Sequence, residues 1–139
     1  MKVHFILYVS DQERSTAFYS DVLGEVPSLN VPGMTEFRLK DSTVLGLMPE
    51  TGIVKLLGPA IVHPALARGV PRSEVYLVVE NPTAFYARAS AAGARELSQL
   101  ALRDWGHQAA YCLDPDGHVL AFARPADADL GGRTGTSFD

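Results

Sequence analysis

The sequence predicts an α+β fold made of two tandem βαβββ units. The same order of elements, a strand followed by a helix and three further strands, is predicted twice along the chain. His4 stands seven residues before a candidate helix cap, Asp11, and Glu74 stands seven residues before another, Asn81. The string AFY also occurs in both predicted helices. Repetition on this scale indicates an internal repeat.

The first unit is assigned to residues 2–49 and opens with a strand over Val3–Val9, which is rich in β-branched and aromatic residues. Strict alternation along this strand places three side chains on one face: His4, Ile6 and Tyr8. Ser10 or Asp11 caps the helix that follows, and Gly24 ends it. Three further short strands are predicted around Glu25–Leu29, Thr35–Lys40 and Thr43–Met48.

The connector, residues 50–72, breaks this pattern because proline and glycine recur along it and interrupt any long element. It is nevertheless too apolar for a solvated linker. Two interpretations stay open at this point. The connector packs over the core, or it forms a flap that covers a pocket or a partner-subunit surface.

The second unit, residues 73–124, repeats the first. A strand over Ser73–Glu80 places Glu74 and Tyr76 on one face, and Asn81 caps a helix with Pro82 at its first position. Three more strands are predicted at Ala94–Leu100, His107–Leu113 and Val119–Ala123. Residues 2–124 are expected to form a single domain, and residues 125–139, which carry little apolar content, a mobile tail.

Composition limits the partners and the compartment. A net charge of −4 without a basic cluster argues against nucleic acid as a partner. The single cysteine, Cys112, excludes an internal disulfide and suits the reducing cytoplasm. The N-terminal apolar stretch is too short for a signal peptide or a membrane span. A cytoplasmic protein without membrane partners is therefore expected.

Two stretches carry a resemblance to a known family: VSDQERSTAFYSDVLG in the first half and WGHQAAYCLDPDGHVLAFAR in the second. With the duplicated unit, they resemble the vicinal oxygen chelate superfamily, which includes glyoxalase I, extradiol dioxygenases and the bleomycin- and fosfomycin-resistance proteins. The resemblance implies that eight strands form a cupped, incomplete barrel around a cavity, and that the protein is a homodimer. In character the chain is closest to the non-metal, bleomycin-resistance-like members.

The resemblance also implies where a metal would bind. The family's enzymes hold a divalent metal with side chains from the first and last strands of each unit. In this chain those positions carry His4, Gly46, Glu74 and Ala121. Gly46 and Ala121 have no donor atom, whereas a catalytic site normally needs three protein ligands. No cofactor is therefore expected, and enzyme activity is doubtful; if the chain is an enzyme, a divalent metal at His4 and Glu74 is expected.

The remaining cup is predicted to be an apolar and aromatic small-molecule site. Its aromatic faces, together with the carboxylate of Glu74, favour a planar or cationic ligand. Two less specific interpretations stay open: the aromatic side chains fill the cup, or Glu74 forms a structural pair with His4. The predicted ligand-binding residues are His4, Ile6, Tyr8, Gly46, Met48, Glu74, Tyr76, Trp105, His107 and Ala121.

The leading hypothesis is thus a metal-independent binding protein of bleomycin-resistance type, which sequesters a drug or metabolite and has no catalytic residue. The alternative is a metal-dependent lyase, isomerase or dioxygenase that uses His4, Glu74 and a non-standard third ligand. A third hypothesis is an enzyme without metal, in which His4 and Glu74 perform acid–base catalysis.

Overall fold

The structure, a computed structural model, describes residues 1–40 and 42–126 and confirms the α+β fold with two βαβββ units. Asp41, and the predicted tail beyond residue 126, lie outside the described residues. The strands are β1 (Val3–Val9), β2 (Leu29–Val31), β3 (Met34–Arg38), β4 (Thr43–Pro49), β5 (Glu74–Val78), β6 (Arg95–Leu102), β7 (His107–Leu113) and β8 (Val119–Pro125). The helices are α1 (Gln12–Leu23), α2 (Glu50–Leu57) and α3 (Pro82–Ala91).

The chain forms two compact units. Unit 1 comprises Met1–Pro71 with Pro115–Gly117, and unit 2 comprises Arg72–Asp114 and the segment from His118 onward. The assignment of residues 2–124 to a single domain stays a prediction. Within residues 1–40 and 42–126, no helix has the length and apolar character needed to cross a membrane.

The sheet of unit 1 has the order β1-β4-β3-β2, in which β1 runs parallel to β4 and the other pairs are antiparallel. The core lies on the side of the sheet where α1 packs. Side chains of the strands that point to this side are buried, namely Leu7, Val9, Phe37, Leu45 and Leu47, and α1 adds Phe18, Tyr19 and Val22. The alternation seen in β1 is therefore the consequence of a one-sided core.

Both ends of α1 form as the sequence predicts. The Asp11 carboxylate accepts a hydrogen bond of 3.0 Å from the backbone N–H of Arg14, which satisfies one of the free donors of the first turn. Gly24 closes the helix with φ 67° and ψ 33°, a left-handed conformation that a glycine adopts without a steric penalty.

The position predicted for β2 is wrong. The expected strand around Glu25–Leu29 is a loop up to Ser28, and the strand covers Leu29–Val31 instead. Pro27 lacks the N–H that a strand ladder needs, and the turn at Gly33 (φ 96°) joins β2 to β3 as a hairpin. The hairpin thus fixes which residues pair, and this pairing sets the bounds of β2.

The connector is more regular than predicted. Its longest element is α2, which extends over eight residues and includes Gly52. Two short 3-10 turns follow, at Gly58–Ala60 and Pro64–Ala67. The buried carboxylate of Glu50 accepts a hydrogen bond of 2.5 Å from the guanidinium of Arg68. This ion pair links the first residue of α2 to the residue after the second 3-10 turn.

Unit 2 repeats the arrangement, with the sheet order β5-β8-β7-β6 and β5 parallel to β8. Asn81 caps α3 by accepting a hydrogen bond of 3.1 Å from the N–H of Ala84, and Pro82 occupies the first turn, as the sequence predicts. The core side of this sheet buries Val75, Leu120, Phe122, Ala110 and Cys112.

The turn at Pro115–Gly117 belongs to unit 1, where Asp116 is buried against the start of α1. One oxygen of its carboxylate accepts from the Ser10 N–H (3.0 Å) and from the Ser10 hydroxyl (2.7 Å). The other accepts from the Ser15 hydroxyl at 3.3 Å, and the Arg14 guanidinium lies 3.7 Å from the oxygen that Ser10 binds. A buried carboxylate is stable here because each oxygen has donors.

Candidate functional site

Each unit has one sheet face that points away from its helix-covered core, and the predicted site residues lie on these two faces. In unit 1 the pairing register places side chains of four strands on the same face, since paired residues project to the same side. These residues are His4, Ile6 and Tyr8 on β1, Val44, Gly46 and Met48 on β4, Met34, Glu36 and Arg38 on β3, and Leu29 and Val31 on β2. We call this set the unit 1 face.

Sequence reasoning missed a carboxylate at the centre of the unit 1 face. Glu36 is the register partner of Gly46, and its Oε2 lies 3.5 Å from Nδ1 of His4. The two side chains approach each other across β4, the strand between them. The Glu36 side chain remains 24% exposed and the His4 side chain 36% exposed. His4 is thus paired within its own unit, and the predicted pairing of His4 with Glu74 stays a prediction.

Gly46 leaves a gap on the unit 1 face that a neighbour fills. A Cβ at this position would lie 3.1 Å from Cγ1 of Ile6 and 3.5 Å from the sulfur of Met34. The first distance is shorter than ordinary contact between carbon atoms. Ile6 therefore packs close to the backbone of β4, and a side chain at position 46 would require Ile6 to shift by a few tenths of an ångström.

In unit 2 the corresponding face carries an ordered aromatic cluster. The indole N–H of Trp105 donates a hydrogen bond of 2.8 Å to the Tyr76 hydroxyl oxygen, and that hydroxyl lies 2.7 Å from Nδ1 of His107. The Tyr76 and His107 rings are stacked, with centroids 5.8 Å apart and planes inclined by 21°. Trp105 remains 56% exposed. We call these three residues the Trp105 cluster.

Ala121 lies beside the cluster and is fully buried. Its register partners are Tyr76 on β5 and Tyr111 on β7, so two tyrosines flank the position where the resemblance implies a metal ligand. Burial raises the pKa of the Tyr111 phenol, and the negative charge of Glu74 raises it further. Tyr111 therefore stays protonated at neutral pH.

Arg103 was also missed by sequence reasoning. Its guanidinium lies 5.2 Å from the centroid of the Tyr111 ring, a cation–π geometry. It donates to the carbonyl oxygens of Ala109 and Gln99 and to the hydroxyl of Ser98, at distances of 2.8 to 3.2 Å. Because these hydrogen bonds depend on the turn between β6 and β7, no local sequence pattern predicts them.

The structure thus places the predicted residues in two sets. His4, Ile6, Tyr8, Gly46 and Met48 belong to the unit 1 face, and Glu74, Tyr76, Trp105, His107 and Ala121 belong to unit 2. Their role in ligand binding stays a prediction. Glu36 could have been found from the sequence by aligning the predicted hairpin, since it alternates with buried Thr35 and Phe37.

The turn that precedes β8 holds a group of possible metal ligands. Within the described residues, Asp114, Asp116 and His118 form the group of three whose ligand atoms lie within 4.8 Å of one another. Two of the three side chains already accept hydrogen bonds from the backbone: Asp114 Oδ1 from the N–H of His118 (2.9 Å), and Asp116 from the N–H of Ser10 before α1. These hydrogen bonds account for the two carboxylates in the turn.

A separate groove of about 560 Å³ runs along α3 and β6 in unit 2. It is lined by Thr83, Tyr86, Ala87, Ser90, Glu96, Gln99 and Leu100, none of which belongs to the predicted set. The Tyr86 hydroxyl is buried without a hydrogen-bond partner among the described residues, and burial raises the pKa of this phenol.

Comparison with known proteins gives a consistent result. The family model described as Glyoxalase/Bleomycin resistance protein/Dioxygenase superfamily matches residues 3–122. No curated protein matches the chain. A glyoxalase-related enzyme from Fulvimarina pelagi is 22% identical with a TM-score of 0.76, and the alignment covers 99% of this chain and 97% of that one.

Two further crystal structures resemble the chain. A glyoxalase/bleomycin resistance protein/dioxygenase family enzyme from Burkholderia phytofirmans PsJN is 18% identical, with a TM-score of 0.73 and coverage of 88% of this chain and 96% of that one. A glyoxalase/bleomycin resistance protein/dioxygenase from Nocardioides is 26% identical, with a TM-score of 0.64 and coverage of 99% and 89%. At these identities the likeness establishes the fold.

Proposed function

The chain belongs to the glyoxalase/bleomycin resistance protein/dioxygenase superfamily, and on that premise we propose that it is a metal-independent binding protein of bleomycin-resistance type. Its ligand is a small aromatic or cationic compound, and its role is sequestration of a drug or metabolite. The observation that carries this proposal is the Trp105 cluster, an exposed aromatic surface held in place by two short hydrogen bonds.

The cluster has the properties of a binding surface for a planar molecule. An exposed indole offers a large apolar face, and here its N–H is already satisfied by Tyr76, so stacking a ligand on the ring breaks no hydrogen bond. Because Trp105 is held by its neighbours, little side-chain entropy remains to be lost on binding. Glu74, on the same face of β5 as Tyr76, adds a negative charge that favours a cation.

The donor set does not fit the metal that the superfamily's enzymes use. His4 and Glu74 carry donor atoms, but Gly46 and Ala121 carry none. Ile6 fills the space beside Gly46, and Tyr76 and Tyr111 flank Ala121. These four positions thus supply two donors, fewer than the three protein ligands of an ordinary catalytic site. These facts support binding without a metal.

Fluorescence of Trp105, the one tryptophan of the chain, tests the proposal directly. We expect that a planar aromatic cation such as acriflavine quenches Trp105 saturably and that calorimetry gives the same dissociation constant. Glu74→Gln should weaken binding about tenfold, the loss of one charge-assisted contact. The matched control is Glu25→Gln, which removes the same charge at an exposed position in unit 1 and should leave binding unchanged. Equal binding by both variants would contradict the role of Glu74, and no saturable binding of aromatic cations would contradict the function.

The alternative function is a metal-dependent lyase, isomerase or dioxygenase that uses His4, Glu74 and a third, non-standard ligand. Elemental analysis separates it from the proposal. The protein is incubated with Mn, Fe, Co, Ni and Zn salts in turn and then desalted. Near-stoichiometric metal that is lost in His4→Ala and Glu74→Ala would replace the proposed function by the enzymatic one. Glu74→Gln that weakens ligand binding without any metal supports the binding protein.

We further propose that the protein is a cytoplasmic homodimer. The connector exposes several large apolar side chains, at 58–77% of their area: Leu56, Val62, Leu66 and Val70. Such a segment is costly to leave in water and suits a subunit contact. Light scattering at micromolar concentration should give twice the monomer mass of 15.0 kDa, and a monodisperse monomer would contradict the dimer.

A further inference from the structure

We propose that Glu36 is a second ligand-binding carboxylate of this protein, and that with His4 it binds an organic cation, an amidinium or ammonium group, on the unit 1 face. This inference rests on the proposed function, because it assigns a further contact, within unit 1, to a ligand of the same chemical class. It stands on three observations within unit 1: the position of Glu36, its neighbours and its separation from His4.

The position of Glu36 is unusual for a glutamate. It projects from the middle of a sheet and is the partner of Leu29 on one side and of Gly46 on the other. Exposed apolar side chains share its face, including Ile6, Tyr8, Leu29 and Val31 at 37–43% exposure. A carboxylate surrounded by apolar surface is poorly screened by water, so it attracts a cation more strongly than a carboxylate on an open surface does.

Glu36 carries the negative charge of the unit 1 face, and Arg38 carries a positive one. By register, its charged or titratable side chains are those of His4, Tyr8, Glu36 and Arg38. Glu36 is the one carboxylate among these described residues. Arg38, two residues from Glu36 along β3, projects from the same face and is exposed at the end of the strand, in register with Val44.

The His4–Glu36 contact leaves both side chains partly exposed to a third group. Its 3.5 Å separation is longer than an ordinary N–H···O hydrogen bond. Both side chains keep part of their surface in water. An amidinium has parallel N–H groups that match the two oxygens of a carboxylate, and its aromatic body would lie on the apolar side chains of the face. A neutral amide of the same shape lacks the charge and has a carbonyl oxygen in place of one NH2 group.

The test uses benzamidine and its neutral counterpart benzamide, with calorimetry on the whole protein. We expect benzamidine to bind more tightly than benzamide, and Glu36→Gln to remove about tenfold of this preference while benzamide binding stays unchanged. Glu25→Gln, which removes the same charge from an exposed loop, should keep the full preference. An unchanged benzamidine affinity in Glu36→Gln would overturn the inference.

A second measurement localises the probe. The chain contains three methionines, of which Met34 and Met48 lie on the unit 1 face and Met1 at the exposed N-terminus. With 13C-labelled methionine methyl groups, benzamidine should shift the Met34 signal and leave Met1 unchanged. Binding that quenches Trp105 but moves neither Met34 nor Met48 would overturn this inference and leave the proposed function standing. Absence of any saturable aromatic binding would contradict both.

The other cation that a carboxylate beside a histidine suits is a metal ion, and one arm of the test separates it from an organic cation. The titration is repeated with Mn²⁺ alone, whose paramagnetism broadens nearby signals. Stoichiometric broadening of Met34 that is lost in Glu36→Gln would assign Glu36 to a metal site and overturn the organic-cation assignment. Unbroadened spectra together with benzamidine shifts support it.

Discussion

Replacing Gly46 with alanine tests the packing that shapes the unit 1 face. A Cβ at this position would lie 3.1 Å from Cγ1 of Ile6, several tenths of an ångström inside ordinary carbon contact. Overpacking of this kind costs about 1–3 kcal/mol. Alanine is intrinsically better than glycine inside a strand by about 0.5–1 kcal/mol. We therefore expect Gly46→Ala to lower the free energy of unfolding by about 1 kcal/mol, with the close contact as the larger of the two terms.

Two variants at position 6 separate these contributions. Ile6→Ala removes Cγ1, so in this background Gly46→Ala should stabilise the protein by about 0.5–1 kcal/mol, and the sign of the effect reverses. Ile6→Val keeps both γ carbons and serves as the matched control, in which Gly46→Ala should remain destabilising. Urea unfolding followed by far-UV circular dichroism gives the free energies, provided that the urea dependence is equal among variants. The same effect of Gly46→Ala in all three backgrounds would refute the packing argument.

Three further predictions concern other parts of the chain. Asp116→Ala should lower the free energy of unfolding by about 2–4 kcal/mol, because the Ser10 N–H loses its buried acceptor, and thermal or urea unfolding would show it; a change below 1 kcal/mol would contradict that role. Burial raises the pKa of the Cys112 thiol from 9.0 to about 12, so the native state holds this proton after the unfolded state has lost it. The stability that the Cys112 thiol contributes is thus complete below pH 9 and falls between pH 9 and about 12. Cys112→Ala should therefore flatten this part of the pH–stability profile. A Cys112 thiol that reacts with Ellman's reagent at pH 8 as fast as a free thiol would contradict its burial. Tyr76→Phe removes the acceptor of the Trp105 N–H and should shift Trp105 emission, with an unshifted spectrum arguing against the hydrogen bond.

The sequence determined the fold because each signal for it is local. The β-branched run of the first strand, the cap at Asp11, the left-handed glycine at Gly24 and the Asn81–Pro82 helix start act over a few residues, and the structure confirms each of them. The order of elements repeats for the same reason. Where the prediction was wrong, at β2, the pairing of the β2–β3 hairpin decided which residues form the strand. In the connector, the Glu50–Arg68 ion pair joins residues 18 positions apart, a contact that no local signal predicts.

The sequence also identified which residues deserve attention, but it did not show how they are combined. It placed Tyr76, Trp105 and His107 among the site residues as separate candidates. Their union in one hydrogen-bonded cluster depends on the turn between β6 and β7, which returns Trp105 to a residue 29 positions earlier. Spacing along one strand cannot reveal a contact of this kind, because it is set by the pairing of several strands.

The neighbours of Gly46 show most clearly what the sequence determines and what only the tertiary structure determines. From the sequence alone, Gly46 means only that a side chain is missing at a strand position. In the folded protein that gap receives Ile6 from β1, while Glu36 on β3 stands in register with it and approaches His4 across β4. Alternation along each strand fixed which way these side chains point, and it is local. The distance between them follows from the alignment of three strands, which the hairpins and the parallel β1–β4 pairing set, so only the tertiary structure decided that Glu36 and His4 meet.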